Sequence, residues 1–354
     1  VVGKAKSTDG DISTSLGFSD FWLIKISNTG MLLWERSYGG SSSETPYVIK
    51  QTSDGGFVIA GETLSNDGDV SGNNGNNDCW VLKIDALGDV EWQNALGGLG
   101  IDFFNDIVQT TDGGYAAIGG TSSGDNGDVT GHHGGFDVWV VKLDQSGELL
   151  WQKTFGGSNS DWGRVITQTS DNGLLIGADT RSTDGDLSHH TGESIDWWIL
   201  KLNPSGDMQW NKILGGGNRD VCRSLQQTTD GGFILAGQTY SNDGDVSGFH
   251  GLTDIWVVKL SPETTSSTLS PLAHNPLELY PNPTSQSITV QIPGDLGETR
   301  LSIRITDLLG REILQRACNS GESLDLAQLP NGMFLLSATS ASGKVFFGKF
   351  RKQE

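Results

Sequence analysis

The sequence predicts an all-β chain built from one unit used repeatedly, followed by a second, smaller β domain. Three observations carry this. Tryptophan recurs at a fixed period, glycine supplies 50 of the 354 residues, and apolar residues in the repeated region show no 3.6-residue period. Glycine at about twice its usual share, with few prolines, implies many tight turns between short strands.

The period is read from two tryptophan series. Trp22, Trp80, Trp139, Trp197 and Trp256 are spaced 58, 59, 58 and 59, and Trp34, Trp92, Trp151 and Trp210 are spaced 58, 59 and 59. Fixed periods of this order mark solenoids, propellers or arrays. One unit begins with the β-prone run Ile107-Val108-Gln109-Thr110. Asp112-Gly113-Gly114 follows, a hairpin signal because the turn needs positive φ. Tyr115 to Thr121 reads as the return strand, and a long polar loop runs from Ser122 to Asp137. Val138 to Leu143 is a third strand, Asp144 to Gly147 a tight turn, and Glu148 to Lys153 a fourth strand. Four short antiparallel strands per unit, repeated radially, is the plan of a β-propeller. We therefore expect a propeller of four-stranded repeats of about 59 residues, with about five blades visible, over residues 1–260. Labelling the strands A to D, the chain supplies five B and five C strands but four A and four D. The repeat is thus expected to be incomplete at the N-terminus, with ring closure open.

Residues 1–260 hold 34 Asp and Glu against 15 Lys and Arg, so −19 of the net −20 lies there. That excludes a nucleic-acid partner and points to cations, basic partners or solubility. No stretch reaches the ~18 apolar residues of a membrane span. The cysteines Cys79, Cys222 and Cys318 form neither a CxxC pair nor a zinc spacing and read as buried thiols.

In an antiparallel blade the A–B and C–D turns share one face, and the long B–C loop shares the other with the D-to-A connection. The B–C loop of the second copy places Asp67, Asp69 and Ser71 at positions 1, 3 and 5, Gly72 at 6 and Asp78 at 12, the ligand spacing of a calcium loop. The third copy offers Asn126, Asp128, Thr130 and Asp137, and the fifth Asp243, Asp245, Ser247 and Asp254. The first has Asp9, Asp11, Ser13 and Asp20, with Thr14 in place of Gly. The fourth has Asp184, Asp186 and Ser188, with His189 in place of Gly and Asp196 one residue late. Two readings stand: calcium as a cofactor, or metal-free turns in which Asp and Ser bond their own backbone. The D-to-A connection adds Glu44, Asp102, Asp161 and Asp220. These either ring the channel mouth or pair with basic neighbours such as Arg164 and Arg223. Lys25, Lys83, Lys142, Lys201 and Lys259 recur on strand C and are expected to partner a repeated carboxylate. The tryptophan series are expected to pack between blades, with an exposed aromatic shelf as the alternative. His132, His133, His189, His190 and His250 read as exposed loop residues. No catalytic triad order, HExxH or phosphate-cradling loop is legible.

Residues 261–276 have the composition of a linker. Residues 277–354 then alternate as about seven short strands, a small β-sandwich. Tyr280-Pro281-Asn282-Pro283, Asp307-Leu308-Leu309-Gly310-Arg311, Leu329-Pro330-Asn331-Gly332-Met333-Phe334 and the basic end Lys349-Phe350-Arg351-Lys352 occur in that order. Together they resemble the C-terminal sorting domain (type A) of type IX secretion cargo, with Met333 where the family usually has an aromatic. The resemblance implies passage across the outer membrane by the type IX machinery, and in many members removal of the tail and surface anchoring. The repeats resemble uncharacterised Gly-rich DGG/SNDGDVSG repeats of such cargo, which bring no established activity. The expected function is a secreted cell-surface binding or adhesion module with a glycan or protein ligand. The alternatives are a glycan hydrolase on the acidic face and a self-associating subunit of a surface layer or filament.

Overall fold

The computed structural model describes residues 1–187, 190, 192, 194–261, 277–292, 300–307, 312–340 and 345–353. The chain divides into two compact units, Val1–Glu263 and Thr264–Glu354. Most of the expected linker, residues 262–276, lies outside the described residues, as do Leu308 to Arg311, Ser188 and His189.

The first unit is five consecutive antiparallel sheets. The first holds β1 (Val2–Ala5), β2 (Asp20–Ile26) and β3 (Leu32–Tyr38). The second holds β4 (Glu44–Gln51), β5 (Phe57–Thr63), β6 (Asp78–Ile84) and β7 (Val90–Leu96). The third holds β8 (Asp102–Gln109), β9 (Tyr115–Thr121), β10 (Asp137–Leu143) and β11 (Leu149–Phe155). The fourth holds β12 (Trp162–Gln168), β13 (Leu174–Thr180), β14 (Asp196–Leu202) and β15 (Met208–Leu214). The fifth holds β16 (Asp220–Gln227), β17 (Phe233–Thr239) and β18 (Asp254–Leu260). Within each sheet the strands pair in chain order, because each is joined to the next by a hairpin or a loop on one end.

Alternate side chains of the central strands fill the gaps between sheets. Cys79 and Val81 of β6 join Phe104, Ile107, Tyr115 and Trp139 of the third sheet in one apolar cluster. The intervening Trp80 and Leu82 pack with Phe21 and Leu23 of the first sheet. Trp80, Trp139 and Trp197 are wholly buried, and their rings meet Phe21, Phe104 and Trp256 at centroid distances of 4.5, 5.4 and 4.5 Å. The second tryptophan series locks neighbours at the hairpin end. A Cβ on Gly147 would lie 2.5 Å from the Trp92 ring, and one on Gly206 would lie 2.9 Å from Trp151. Both glycines have positive φ, 86° and 82°, so their lack of a side chain serves the turn and the ring seated on it. The three cysteines are buried and free, as expected.

Extensive contacts join each sheet to the next, among them β4 and β5 against β8, β8 against β12 and β12 against β16. No contact of that extent joins the first sheet to the fifth among the described residues. The first strands β4, β8, β12 and β16 thus stand side by side, each broken by a register shift two to four residues from its start.

The second unit has two antiparallel sheets. One is β19 (Glu278–Tyr280), β20 (Ser287–Gln291) and β23 (Glu322–Asp325). The other is β21 (Arg300–Asp307), β22 (Glu312–Asn319), β24 (Gly332–Ser340) and β25 (Val345–Lys352). Ile288 and Val290 of the first sheet share a core with Leu301, Ile303, Leu336 and Phe350 of the second.

Candidate functional site: the loop face of the repeats

The two ends of each sheet carry different chemistry. At the hairpin end, the strand C lysines meet the aspartates of the Asp-Gly-Gly and Asp-Asn-Gly turns. Lys83 reaches Asp54 at 2.9 Å and also Glu91, Lys142 reaches Asp112 at 2.9 Å, Lys201 reaches Asp171 at 2.8 Å and Lys259 reaches Asp230 at 2.8 Å. The expected repeated pairing is therefore present. Lys25, which has no such turn before it, donates to the Ala86 carbonyl. Thr52 and Lys83 hold the Asp54 carboxyl at about 2. Partial burial pushes Asp112 and Asp171 up, but Thr110 with Lys142, and Lys201 with Thr169, keep both at about 2.

At the loop end, the residues of one predicted calcium loop go to different places. Asp69 Oδ2 accepts from the Gly39 N–H at 3.1 Å and Asp67 Oδ1 from the Ser41 N–H at 2.7 Å, both on the connection leaving the preceding sheet. Asp128 and Asn126 do the same for Gly97 and Leu99, and Asp245 and Asp243 for Gly215 and Gly217. Asp186 and Asp184 serve Gly156 and Ser158. Ser71 and Thr130 instead accept from Gln93 and Gln152 of their own sheet, and Ser247 lines a surface hollow with His250 and Trp256. The last carboxylates turn to their own loops: Asp20 accepts from the Leu16 N–H, Asp78 from Asn74, Asp137 from His133 and Asp254 from His250. Asp9 and Asp11 stand exposed. Among the described residues no three His, Cys, Asp or Glu side chains form a group able to hold a metal ion.

What the structure does bring together is a seam between consecutive sheets. The carboxylate opening strand C of one sheet meets the carboxylate opening strand A of the next, across the first glycine of a Gly-Gly connection. Asp78 with Asp102 at Gly97 and Asp137 with Asp161 at Gly156 are both arranged this way, as are Asp20 with Glu44 and Asp196 with Asp220. All eight are buried. Glu44, Asp102, Asp161 and Asp220 neither ring an open mouth nor pair with the arginines three residues on. They accept from Gly40, Gly98, Gly157 and Gly216 N–H groups, while Arg164 pairs with the buried Asp179 at 2.7 Å. Burial pushes Asp78 up to about 6, reinforced by the charges of Asp102 and Asp128. Burial likewise raises Asp137 and Asp161, against the hydrogen bonds that pull them back.

Two seams contain an imidazole. His133 Nδ1 lies 2.9 Å from Asp137 Oδ2. His190 is buried, with Nε2 2.8 Å from Asp196 and Nδ1 2.7 Å from the Ser182 carbonyl. The expectation of an exposed loop histidine fails for His190, whose ring is buried between the Ser182 carbonyl and Asp196; hydrogen bonding to Asp196, despite burial, raises its pKa.

Beside the seams, the starts of strands A, together with Phe136 just before strand C of the third sheet, carry aromatics that sequence reasoning missed. Tyr47, Phe103, Phe136 and Trp162 form a ladder across the second to fourth sheets, with centroid spacings of 6.4, 5.9 and 6.5 Å. Arg164 and Arg181 lie 5.9 and 5.8 Å from the Trp162 ring centroid. At the other end the Tyr47 hydroxyl donates to Glu62, which also accepts from Asn77. None of the four rings is fully buried. The signal was available as Phe103 and Trp162, each directly after a seam carboxylate.

In the second unit the motif residues converge. Asn282 accepts from the Arg351 N–H and donates to the Lys349 carbonyl, and Phe334 stacks on Phe350 at 5.6 Å. This ties the Tyr280–Pro283 motif to the basic terminal strand.

Comparison with known proteins gives different answers for the two units. Over 158 residues, 41% of this chain, the sequence is 29% identical to the regulatory protein FlaEY of Caulobacter vibrioides, of which it spans only 16%. Among solved structures, the extracellular domain of a putative one-component system from B. thetaiotaomicron aligns with 96% of the chain and 55% of its own, at 11% identity and a TM-score of 0.24. A fungal alcohol oxidase of the AA5 family, in complex with copper, aligns over 95% and 91% at 11% identity and a TM-score of 0.30. Residues 278–350 match the family described as the secretion system C-terminal sorting domain. The chain therefore carries the sorting tail of type IX secretion cargo, and it is exported to the cell surface or the extracellular space.

Proposed function

We propose that the repeats form an arc of propeller blades that acts as a surface binding module, with an uncharged glycan chain as its ligand. The observation that carries this is the aromatic ladder Tyr47–Phe103–Phe136–Trp162. Successive partly exposed rings about 6 Å apart, tilted 63°, 52° and 33° to one another, form an apolar strip against which the C–H faces of sugar rings can pack. Arg181, Asn77 and Glu62 stand at its ends as hydrogen-bonding groups of the kind that fix orientation. The acidity of the repeats argues against a polyanion as ligand. The export tail supports the setting, since it brings this face to glycans outside the cell.

Screening the purified chain against soluble neutral polysaccharides, followed by calorimetry, tests the reading. Trp162→Ala and Phe103→Ala are each expected to weaken binding about tenfold, while Leu252→Ala, on the fifth loop, leaves it unchanged. Absence of binding, or equal binding by all three variants, would overturn the proposal.

A second reading, a subunit of a surface layer or filament, draws on the fifth sheet. Ile255 and Val257 are 83% and 56% exposed, whereas Val138 and Val140 at the equivalent positions are fully buried. Concentration-dependent assembly in mass photometry, abolished by Ile255→Asp, is the result this reading requires.

A further inference from the structure

Asp78 and Asp102 are both 0% exposed. A Cβ on Gly97 would lie 2.5 Å from Asp78 Oδ1 and 2.6 Å from Asp102 Oδ2, so the two carboxylates face one another over a space that only glycine leaves free. Asp78 Oδ2 is used by the Asn74 N–H at 2.6 Å. Asp102 Oδ2 is used by the Gly98 N–H at 2.9 Å and the Ser123 hydroxyl at 2.8 Å. The other oxygen of each residue, Oδ1, is buried and has no hydrogen-bond partner. Among the described residues, no lysine, arginine or histidine bonds to either carboxylate. In the third and fourth seams the same pair is met by His133 or His190, but Asn74 holds the position of His133 in the second.

Burying one unpaired carboxylate costs several kcal/mol, and a second beside it adds repulsion. At this gap the unpartnered Asp78 Oδ1 faces Asp102 Oδ2, and such an anionic oxygen buried beside a second carboxylate matches the demand of a hard divalent cation. Such ions take carboxylate, carbonyl and water oxygens together, so they do not need a third acidic side chain.

We infer that the seam between the second and third sheets binds a divalent cation of the calcium class between Asp78 and Asp102; in the histidine-free first seam both Glu44 oxygens already accept, from Gly40 and Thr63. The ligands thus come from two neighbouring sheets, not from one loop, and the ion acts as a clamp between repeats. This stands apart from the glycan reading, since the ladder needs no ion.

The test is calcium chloride titrated into the EDTA-treated full chain, read by calorimetry and by thermal melting. We expect about one ion per chain and a melting temperature several degrees higher with calcium than with EDTA. Asp78→Asn with Asp102→Asn should lose one ion and most of the calcium response. Should that double variant fail to fold, Asn74→His supplies the imidazole of the third seam and should lower the calcium response while the chain stays folded in EDTA. Identical melts of the parent with calcium and EDTA, or full calcium binding by Asp78→Asn with Asp102→Asn, would overturn the inference.

Discussion

The two ends of the second, third and fourth sheets bury opposite charges, and they do it differently. At the hairpin end the buried group is a cation: Lys201 is 1% exposed, and its partner Asp171 sits half in water. At the loop end the buried groups are anions, and their partners are mostly neutral N–H and O–H donors. Asp161 is the fullest case, accepting from Thr180, Ser182 and three main-chain N–H groups. A cation with one half-solvated partner depends on that partner's charge. An anion wrapped by several dipoles depends on their number and on the rigidity of the Gly-Gly connection. The repeat can thus vary its hairpin end by moving a single carboxylate, whereas its loop end is fixed by many bonds at once.

The largest expected effect breaks the loop end. Asp161→Ala leaves two hydroxyls and the N–H groups of Gly157 and Arg181 without their acceptor, and the Ser182 N–H with the Thr180 hydroxyl alone. It should cost about 3 kcal/mol, because most of these donors then lack a partner. Denaturant unfolding measures this, and a loss below about 1 kcal/mol would show that these dipoles reorganise freely. At the hairpin end the comparison predicts an asymmetry. Asp171→Ala leaves Lys201 with neutral acceptors only, the Leu202 carbonyl and Gln209, and should cost about 2 kcal/mol, less than a fully buried pair because Asp171 is half solvated. Lys201→Met removes the buried charge itself, leaves Asp171 in water, and should stay within about 1 kcal/mol of the parent. Equal losses in the two variants would remove the distinction between the ends.

How far this was legible in the sequence follows the same division. The hairpin end depends on local order, and the Trp period, the Asp-Gly-Gly turns and the strand C lysines announced it. Strand β9 was expected at Tyr115–Thr121 and stands there. The loop end was read one loop at a time, as calcium loops or as turns bonding their own backbone, whereas Asp69 bonds Gly39, 30 residues earlier, in the preceding repeat. A period places equivalent residues but cannot say which copy each one touches. The aromatic ladder was missed because strand β8 begins at Asp102, five residues before the alternating run that marked it. A register shift between Phe104 and Asp106 breaks the alternation there. The tail was legible because its motifs are contiguous and ordered, and they are the segments that meet in the fold.

Acid titration sharpens the hairpin end. Asp54, Asp112 and Asp171 titrate at about 2, below the ordinary aspartate value of about 3.9. A depressed folded value means that the stabilisation is fully present above about 3.9 and disappears as pH falls through about 2. Carbon-13 carboxyl shifts should therefore place the Asp171 midpoint near 2, and in Lys201→Met the midpoint should rise toward 3.9. An unmoved midpoint would assign the depression to Thr169 alone.

The smallest expected effect lies where the loop end borrows the device of the hairpin end. His190 has an acceptor at each ring nitrogen, the Ser182 carbonyl at 2.7 Å and Asp196 Oδ2 at 2.8 Å. Neutral imidazole carries one N–H and can satisfy only one of them, so the geometry calls for the imidazolium. The bond to Asp196 raises the His190 pKa in spite of burial. A raised folded value reverses the sign found for Asp171. The stabilisation is fully present below the ordinary histidine value of about 6.5 and is lost as pH rises through the folded value. Between pH 6 and pH 9 the parent's melting temperature should fall by about 2 °C relative to His190→Gln, which keeps one donor but cannot titrate. Parallel pH profiles for the two proteins would mean that Asp196 is held by its neutral donors, as Asp161 is, and that the fourth seam has no need of a cation.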